Sequence, residues 1–229
     1  MLNANDIKKI LFELGADLCG IASVDRFSEA PEGFHPHDIL PSCQAVIVIA
    51  KKMPVSTLES PTMIPYTIAR NLIGQDLDKI SVQFCGMVEE NGILAVPVGA
   101  LGPCRQDSKG RTRAAVSAKH SAVAAGLGWL GKNTLLITPE YGNMVWLTVI
   151  LTDASLLADK VLDGNPCQES CRLCIDNCPA QALGNPEMNQ GACFGHAFGN
   201  DYGNGNWIFK CYTCRSICPH NLGSKNRLK

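Results

Sequence analysis

Apolar positions along the first two thirds of the chain come in blocks whose period changes from one block to the next. Between Asp6 and Leu14 the residues Ile7, Ile10, Leu11 and Leu14 recur at helical spacing, and Gly15 follows as a C-cap. LCGIASV (18–24) and AVIVIAKK (45–52) are near-continuous apolar runs, the pattern of buried strands. A long amphipathic stretch from about Tyr66 to Glu90 predicts a helix, broken at Asn91-Gly92, after which ILAVPV reads as a strand. The small-residue segment AAVSAKHSAVAAG predicts another helix. TLLITPE and MVWLTVIL predict two strands joined across the turn-forming trio Tyr141-Gly142-Asn143. Helices and strands in this mixed order, with a hairpin among them, predict an α+β sandwich with a mostly antiparallel sheet instead of a doubly wound parallel one.

The pattern stops near Asp163-Gly164-Asn165-Pro166. Downstream, Cys, Gly, Asn and Pro dominate, a composition that builds no large apolar core and has to be held by something else. We therefore expect a cofactor or catalytic domain over 1–163 and a metal-held domain over 164–229. With 229 residues, 46% apolar and 18% charged, and a net charge of −1, the chain matches neither a disordered segment nor a strongly basic nucleic-acid binder. The longest apolar run, MVWLTVIL, has the length of a strand and not of a membrane span, and MLNANDIKKI has no signal-peptide pattern, so a cytoplasmic location without membrane association is expected. No internal repeat is visible apart from two cysteine runs.

Those runs hold eight of the twelve cysteines, and each closes on Cys-Pro: Cys167, Cys171, Cys174, Cys178-Pro179, then Cys193, Cys211, Cys214, Cys218-Pro219. A 4Fe-4S cubane needs four thiolates at tetrahedral corners, which a tight run of three and one distant cysteine supply; in two-cluster ferredoxins the cysteine before proline crosses over. This layout predicts two 4Fe-4S clusters, one on Cys167, Cys171, Cys174 and Cys218, the other on Cys193, Cys211, Cys214 and Cys178. The first run, C-x3-C-x2-C-x3-C-P, is one residue longer at its start than the bacterial ferredoxin spacing, so Cys167 is the ligand that departs from the pattern. A disulfide scaffold belongs to short secreted chains, and zinc ribbons need neither the third cysteine nor the doubled Cys-Pro. Cys19, Cys43, Cys85 and Cys104 are scattered, mostly in apolar blocks, where buried thiols are the default.

Between helix and hairpin lies GLGWLGKN. Gly126, Gly128 and Gly131 match a dinucleotide fingerprint, but that motif follows a strand and opens a helix, the reverse of the order here. The same residues approach a phosphate-binding loop, with Asn133 where Ser or Thr should hold magnesium. Three glycines permit close approach of a flat or bulky group, Trp129 offers a large face, and Lys132 and Asn133 supply donors, so Gly126, Gly128, Trp129, Gly131, Lys132 and Asn133 form the candidate cofactor site. A tight turn with Trp129 in the core is the alternative. His120 is a candidate acid, Tyr66 and Arg70 a candidate anion-binding pair one helical turn apart, and His35 and His37 are too close together to chelate one metal without other ligands.

The order of AGLGWLGKNTLLITPEYGNMVWLTVILTD, C-x3-C-x2-C-x3-C-P, the isolated Cys193 and GNWIFKCYTCRSICPHN resembles the epoxyqueuosine reductase family and, more distantly, the corrinoid reductive dehalogenases. LGADLCGIASVDRF and LPSCQAVIVIAKKMP are similar to that family's opening segments. The resemblance implies a nitroreductase-like α/β sandwich followed by a ferredoxin-like two-cluster domain, with the clusters passing electrons singly to cobalamin for reduction of a substrate. It also implies an external donor such as ferredoxin or flavodoxin. Two features depart from the family. Its V-D-[ST]-A-P aspartate has no counterpart in RTRAAVSAKH, which leaves the general acid and the catalytic residues unassigned. The chain also reaches NLGSKNRLK soon after the second run, where the family continues into a tRNA-gripping repeat domain, so a small-molecule substrate is expected in place of tRNA. The rival reading is a non-catalytic electron-transfer protein whose first domain is empty or binds FMN.

Overall fold

A computed structural model describes residues 2–184, 187–200 and 207–226. In chain order they form α1 (Ala4–Glu13), β1 (Leu18–Ser23), β2 (Ala45–Lys52), α2 (Ile64–Glu89), β3 (Ala95–Pro97), β4 (Cys104–Gln106) and β5 (Thr112–Ala114). There follow α3 (Ala118–Ala124), β6 (Trp129–Leu130), β7 (Leu136–Ile137), β8 (Val145–Thr152), α4 (Leu173–Asp176), α5 (Gln190–Ala197), β9 (Phe198–Asn200), β10 (Trp207–Phe209) and α6 (Thr213–Ser216). The fold is α+β, and its assigned strand pairings are antiparallel. Asn221–Asn226 lies within the described residues; Arg227 and Lys229 of the basic tail lie outside them.

Each element has a local cause. Helix α1 begins earlier than its apolar period suggests because Asn3 caps it: its side chain accepts from the amides of Asn5 and Asp6, while Asp6 accepts from the Asn3 amide at 3.0 Å. The helix is followed by Gly15 at φ 107, a conformation that only glycine adopts without strain. The central sheet runs β1-β2-β8-β3. Six successive residues of β2, Ala45–Ala50, are buried, which requires cover on both faces and explains why that strand reads as a continuous apolar run. Helices α1 and α3 pack against β1, and α3 also against β2. Leu77, Ile80, Phe84 and Val88 of α2 are buried at helical spacing.

The chain groups into two units, each discontinuous in sequence. The first comprises Met1–Lys52, Ile73–Gly128 and Trp146–Asp163; the second comprises Met53–Leu72, Trp129–Val145 and Gly164–Lys229. The first carries most of the central sheet. The second is built from small pieces, the two-stranded sheets β6–β7 and β9–β10 and the single-turn helices α4 and α6, which pack on each other.

Two details differ from the expectation. TLLITPE does not form a hairpin with MVWLTVIL: β7 pairs with β6, and β8 joins the central sheet. The chain is turned away at Tyr141-Gly142-Asn143, where Thr138 and Gly142 bond each other's backbones and the Asn143 amide donates to the His220 carbonyl at 3.2 Å. A hairpin unmarked by any apolar period, β4–β5, is held from its turn by Asp107. That carboxylate accepts from the amides of Lys109 and Arg111 and from Nε of Arg111 (2.9 Å) and Arg113 (2.7 Å).

Candidate metal centre

The first cysteine run is fixed by its backbone. Asn165 accepts from the Cys167 amide at 2.9 Å and donates to the Leu130 carbonyl, and the Cys171 amide closes a turn onto the Gln168 carbonyl. Lys132 Nζ donates to the carbonyls of Gln168 (3.1 Å), Cys171 (3.0 Å) and Glu169. Helix α4 then carries Cys174. The result is a cavity lined by Cys167, Cys171 and Cys174 of the first run, by Cys218 of the second, and by Gly131 and Lys132. Four thiols from two runs, with Cys218 44 residues beyond Cys174, thus face one volume.

The electrostatics of this cavity suit a cationic centre. Burial pushes the Cys174 thiol up, and Cys167, Cys218 and Cys171 push it further. Cys218 is raised chiefly by burial, with the His220 backbone opposing and Cys167 and Cys171 adding. Thiolates that repel one another in a partly buried pocket are stabilised by positive charge among them, which an iron-sulfur core supplies. Among the described residues, no group of three or more His, Cys, Asp or Glu side chains is gathered to hold a single metal ion. Four thiols lining one cavity are the kind of donor set a 4Fe-4S core takes, one thiolate to each iron.

The second run gathers differently. Burial pushes Cys214 up to about 11; Arg215 opposes this, and Cys211, Cys193 and Cys174 add to it. Cys193 sits on α5, and the Cys211 thiol donates to Thr213 Oγ1 at 3.5 Å. Cys178 does not line the cavity of the first run; its sulfur accepts from the Ala182 amide at 3.3 Å. Three polar side chains secure this run. Asn133 donates to the Cys214 carbonyl at 2.8 Å, Asn143 donates to the Arg215 carbonyl at 3.2 Å, and the buried Arg215 guanidinium donates to the Asn143 carbonyl. Asn143 and Arg215 carry no motif signal; only a charged residue in a tight cysteine run hints at Arg215.

The glycine motif follows helix α3 and precedes strand β6. Gly126, at φ 71, closes α3, and a Cβ there would meet the Lys160 carbonyl. A Cβ at Gly131 would stand 2.7 Å from Asn133 Oδ1. Trp129 lies in β6 opposite Ile137. The close approaches that these two glycines allow are thus to the chain itself, and the donors of Lys132 and Asn133 are directed at the cysteine runs. Gly128 lies in the first unit, between these elements.

Other candidates are placed as follows. Tyr66 is buried, edge-on to Phe209 with ring centroids 5.3 Å apart, and Arg70 stacks over Trp207 at 4.7 Å, so this pair belongs to an aromatic cluster. His120 bonds Ser117 Oγ at 2.7 Å; burial, then Lys119 and Arg113, hold it below the ordinary imidazole value, which makes it a poor proton store at neutral pH. His37 Nε2 bonds the Cys43 carbonyl at 2.9 Å, and His35 caps a short turn. Cys19, Cys43 and Cys85 are buried, burial pushing Cys19 up to about 12 and Cys85 up to about 11, whereas Cys104 is exposed. No helix among the described residues is long and apolar enough to cross a membrane.

No family model matches the chain. The epoxyqueuosine reductase of Leadbetterella byssophila is 28% identical over 259 residues, covering 95% of the chain and 80% of that protein. That of Atelocyanobacterium thalassa is 28% identical over 207 residues, 83% of the chain and 63% of the relative, so the chain spans just under two thirds of this second protein. In structure, the epoxyqueuosine reductase of Streptococcus thermophilus matches with a TM-score of 0.66 at 22% identity, over all of the chain and 69% of its own. A reductive dehalogenase described as suggesting a mechanism for B12-dependent dehalogenation matches with a TM-score of 0.69 at 18% identity, over 96% of the chain and 32% of its own. The chain is homologous to epoxyqueuosine reductases, and the fold is shared with them and with reductive dehalogenases.

Proposed function

We propose that this relative of the epoxyqueuosine reductases is an iron-sulfur oxidoreductase that holds two 4Fe-4S clusters and draws electrons from an external ferredoxin or flavodoxin. The observation that carries the reading is the cavity around Cys167, Cys171, Cys174 and Cys218, in which the cysteine before Pro219 joins the first run. In this reading Cys178 completes the second set with Cys193, Cys211 and Cys214. The ferredoxin-like part begins at Gly164 and takes in Met53–Leu72 and Trp129–Val145, which group with it, while the first unit is the nitroreductase-like part. The protein's own contribution is to hold the thiols in place, to screen them from water and to oppose their charge through Lys132 and Arg215.

Cobalamin enters the proposal through the relatives. Gly126, Gly131, Lys132 and Asn133 do not fit as its cradle, because each is engaged with the chain's own atoms. No step is derived through it. The same engagement favours, as second reading, a protein that only transfers electrons. A further structural neighbour was solved with an epoxyqueuosine-modified tRNA-Tyr stem loop, which makes that stem loop a substrate to test beside small molecules.

Anaerobic reconstitution followed by iron and cobalt analysis tests both readings. About eight irons per chain is expected. Cys218→Ala and Cys171→Ala should each retain about four irons, as should their combination, while Cys218→Ala with Cys211→Ala should retain almost none. Additive loss in the Cys171/Cys218 pair would remove the crossover. Retained cobalt after incubation with hydroxocobalamin supports the reductase; none moves the reading to electron transfer.

A further inference from the structure

The glycine motif ends in Lys132-Asn133, and both side chains turn toward the cysteine runs. Lys132 Nζ reaches the carbonyls of Gln168 (3.1 Å), Glu169 and Cys171 (3.0 Å). A lysine amino group has three hydrogens to donate, and three carbonyls within the four residues Gln168–Cys171 converge on it. Asn133 is buried, donates to the Cys214 carbonyl at 2.8 Å and accepts from the Leu135 amide at 3.1 Å. One dipeptide therefore grips the backbone of both runs, one beside Cys171 and the other at Cys214. Lys132 also lines the cavity that Cys167, Cys171, Cys174 and Cys218 face.

We propose that Lys132 is the positioning residue of the cluster held by Cys167, Cys171, Cys174 and Cys218, and that its positive charge sets that cluster's reduction potential. The inference rests on the two-cluster reading above. Four thiolates around a 2+ core carry a net charge of −2; one electron from a ferredoxin- or flavodoxin-class donor takes the core to 1+ and the whole to −3. A fixed cation beside the cavity stabilises the more negative form more strongly, so it raises the potential, and in a half-buried site the effect is larger than in bulk water. A compact ammonium suits three converging carbonyls; the flat guanidinium of arginine keeps the charge but not that geometry. A lysine with its hydrogens so occupied is not placed to bind phosphate, which accounts for the phosphate-loop pattern without a nucleotide.

The test is a redox titration of the reconstituted full chain, followed by electron paramagnetic resonance, on the wild type, Lys132→Gln and Lys132→Arg. The wild type should show two one-electron couples and about eight irons. In Lys132→Gln one couple should fall so that its reduced-to-oxidised ratio at fixed potential drops about tenfold, a shift of about 59 mV, while the other moves much less. Lys132→Arg should hold its couple within about threefold of the wild-type ratio, or about half that shift. Retention of only about four irons in Lys132→Gln with about eight in Lys132→Arg also supports the role, through positioning. Both couples unmoved in Lys132→Gln, both moved equally, or iron lost in both variants would overturn it. A wild type that takes up no iron overturns the two-cluster reading itself, a result distinct from the others.

Discussion

The two units of this chain solve the same problem, ordering a polypeptide in water, by opposite means. In the first, Ile7, Leu11, Ile21, Ile47, Ile49, Leu77, Ile150 and Leu151 are nearly or fully excluded from solvent. In the second, Met53, Tyr66, Leu136, Ile137 and Met144 are buried, but the described residues from Gly164 onward bury only Cys174, Ala182, Ala197 and Phe209 among apolar side chains. Burial of an aliphatic side chain contributes about 1.5–3 kcal/mol, so the first unit has its stabilisation within its own side chains. The cysteine-bearing part has little, and backbone hydrogen bonds from Lys132, Asn133 and Asn143 do not replace it, because each contributes only about 1 kcal/mol net. In the proposed reading, metal ligation supplies what holds it.

Removal of iron should therefore divide the molecule, and this is the largest effect expected. In hydrogen exchange on the apo chain, the amides of α4 and α6 should lose nearly all protection, while those of β2 and β8 keep theirs. Equal loss in β2 and α6 would erase the contrast between the units.

A mutation inside the first unit sharpens the contrast from the other side. Leu77 is fully buried on α2, and Leu77→Ala should destabilise by about 2–5 kcal/mol through lost transfer energy and the cavity left behind. Denaturant unfolding followed by far-ultraviolet circular dichroism would measure it. Reconstituted iron at 4 °C should stay near the wild-type level, about eight per chain, since Leu77 belongs to the first unit and the eight run cysteines to the second.

What could be read from the sequence follows the same division. Continuous apolar runs report strands buried on both faces, so β2 and β8 were legible, and helical spacing gave α1 and most of α2. Thiol spacing marked eight cysteines as candidate ligands, of which Cys167, Cys171, Cys174 and Cys218 line one cavity. The periodic pattern does not name a strand's partner, which is why β7 was expected beside β8 and is found on β6. Nor does it show which side chains meet distant carbonyls. Asn143 and Arg215 are 72 residues apart, and Lys132 holds a loop whose side-chain identities are irrelevant to the bond. Lys132 and Asn133 stood out in the sequence for their donors, but where those donors point is a property of the fold.

The smallest effect concerns the β4–β5 hairpin, which has neither a large apolar core nor a cysteine ligand. Arg113 beside Asp107, with the Arg111 and Lys109 bonds, holds the Asp107 carboxyl well below the usual carboxylate range, against a smaller opposing effect of burial. A depressed folded value means that the carboxylate stabilises the hairpin at all pH values above the unfolded value, about 3.9, and that this contribution is lost as pH falls through the folded value. The hairpin should thus persist to more acid pH than an ordinary carboxylate contact would allow. Nuclear magnetic resonance of the Lys109 and Arg111 amides across an acid titration would follow it. In Asp107→Asn those amides should show no acid transition of this origin, and their signals should be displaced already at neutral pH. A wild-type transition centred near the ordinary carboxylate value would mean that the arginines do not hold Asp107 in solution, and that this hairpin is ordered by its β4–β5 backbone bonds alone.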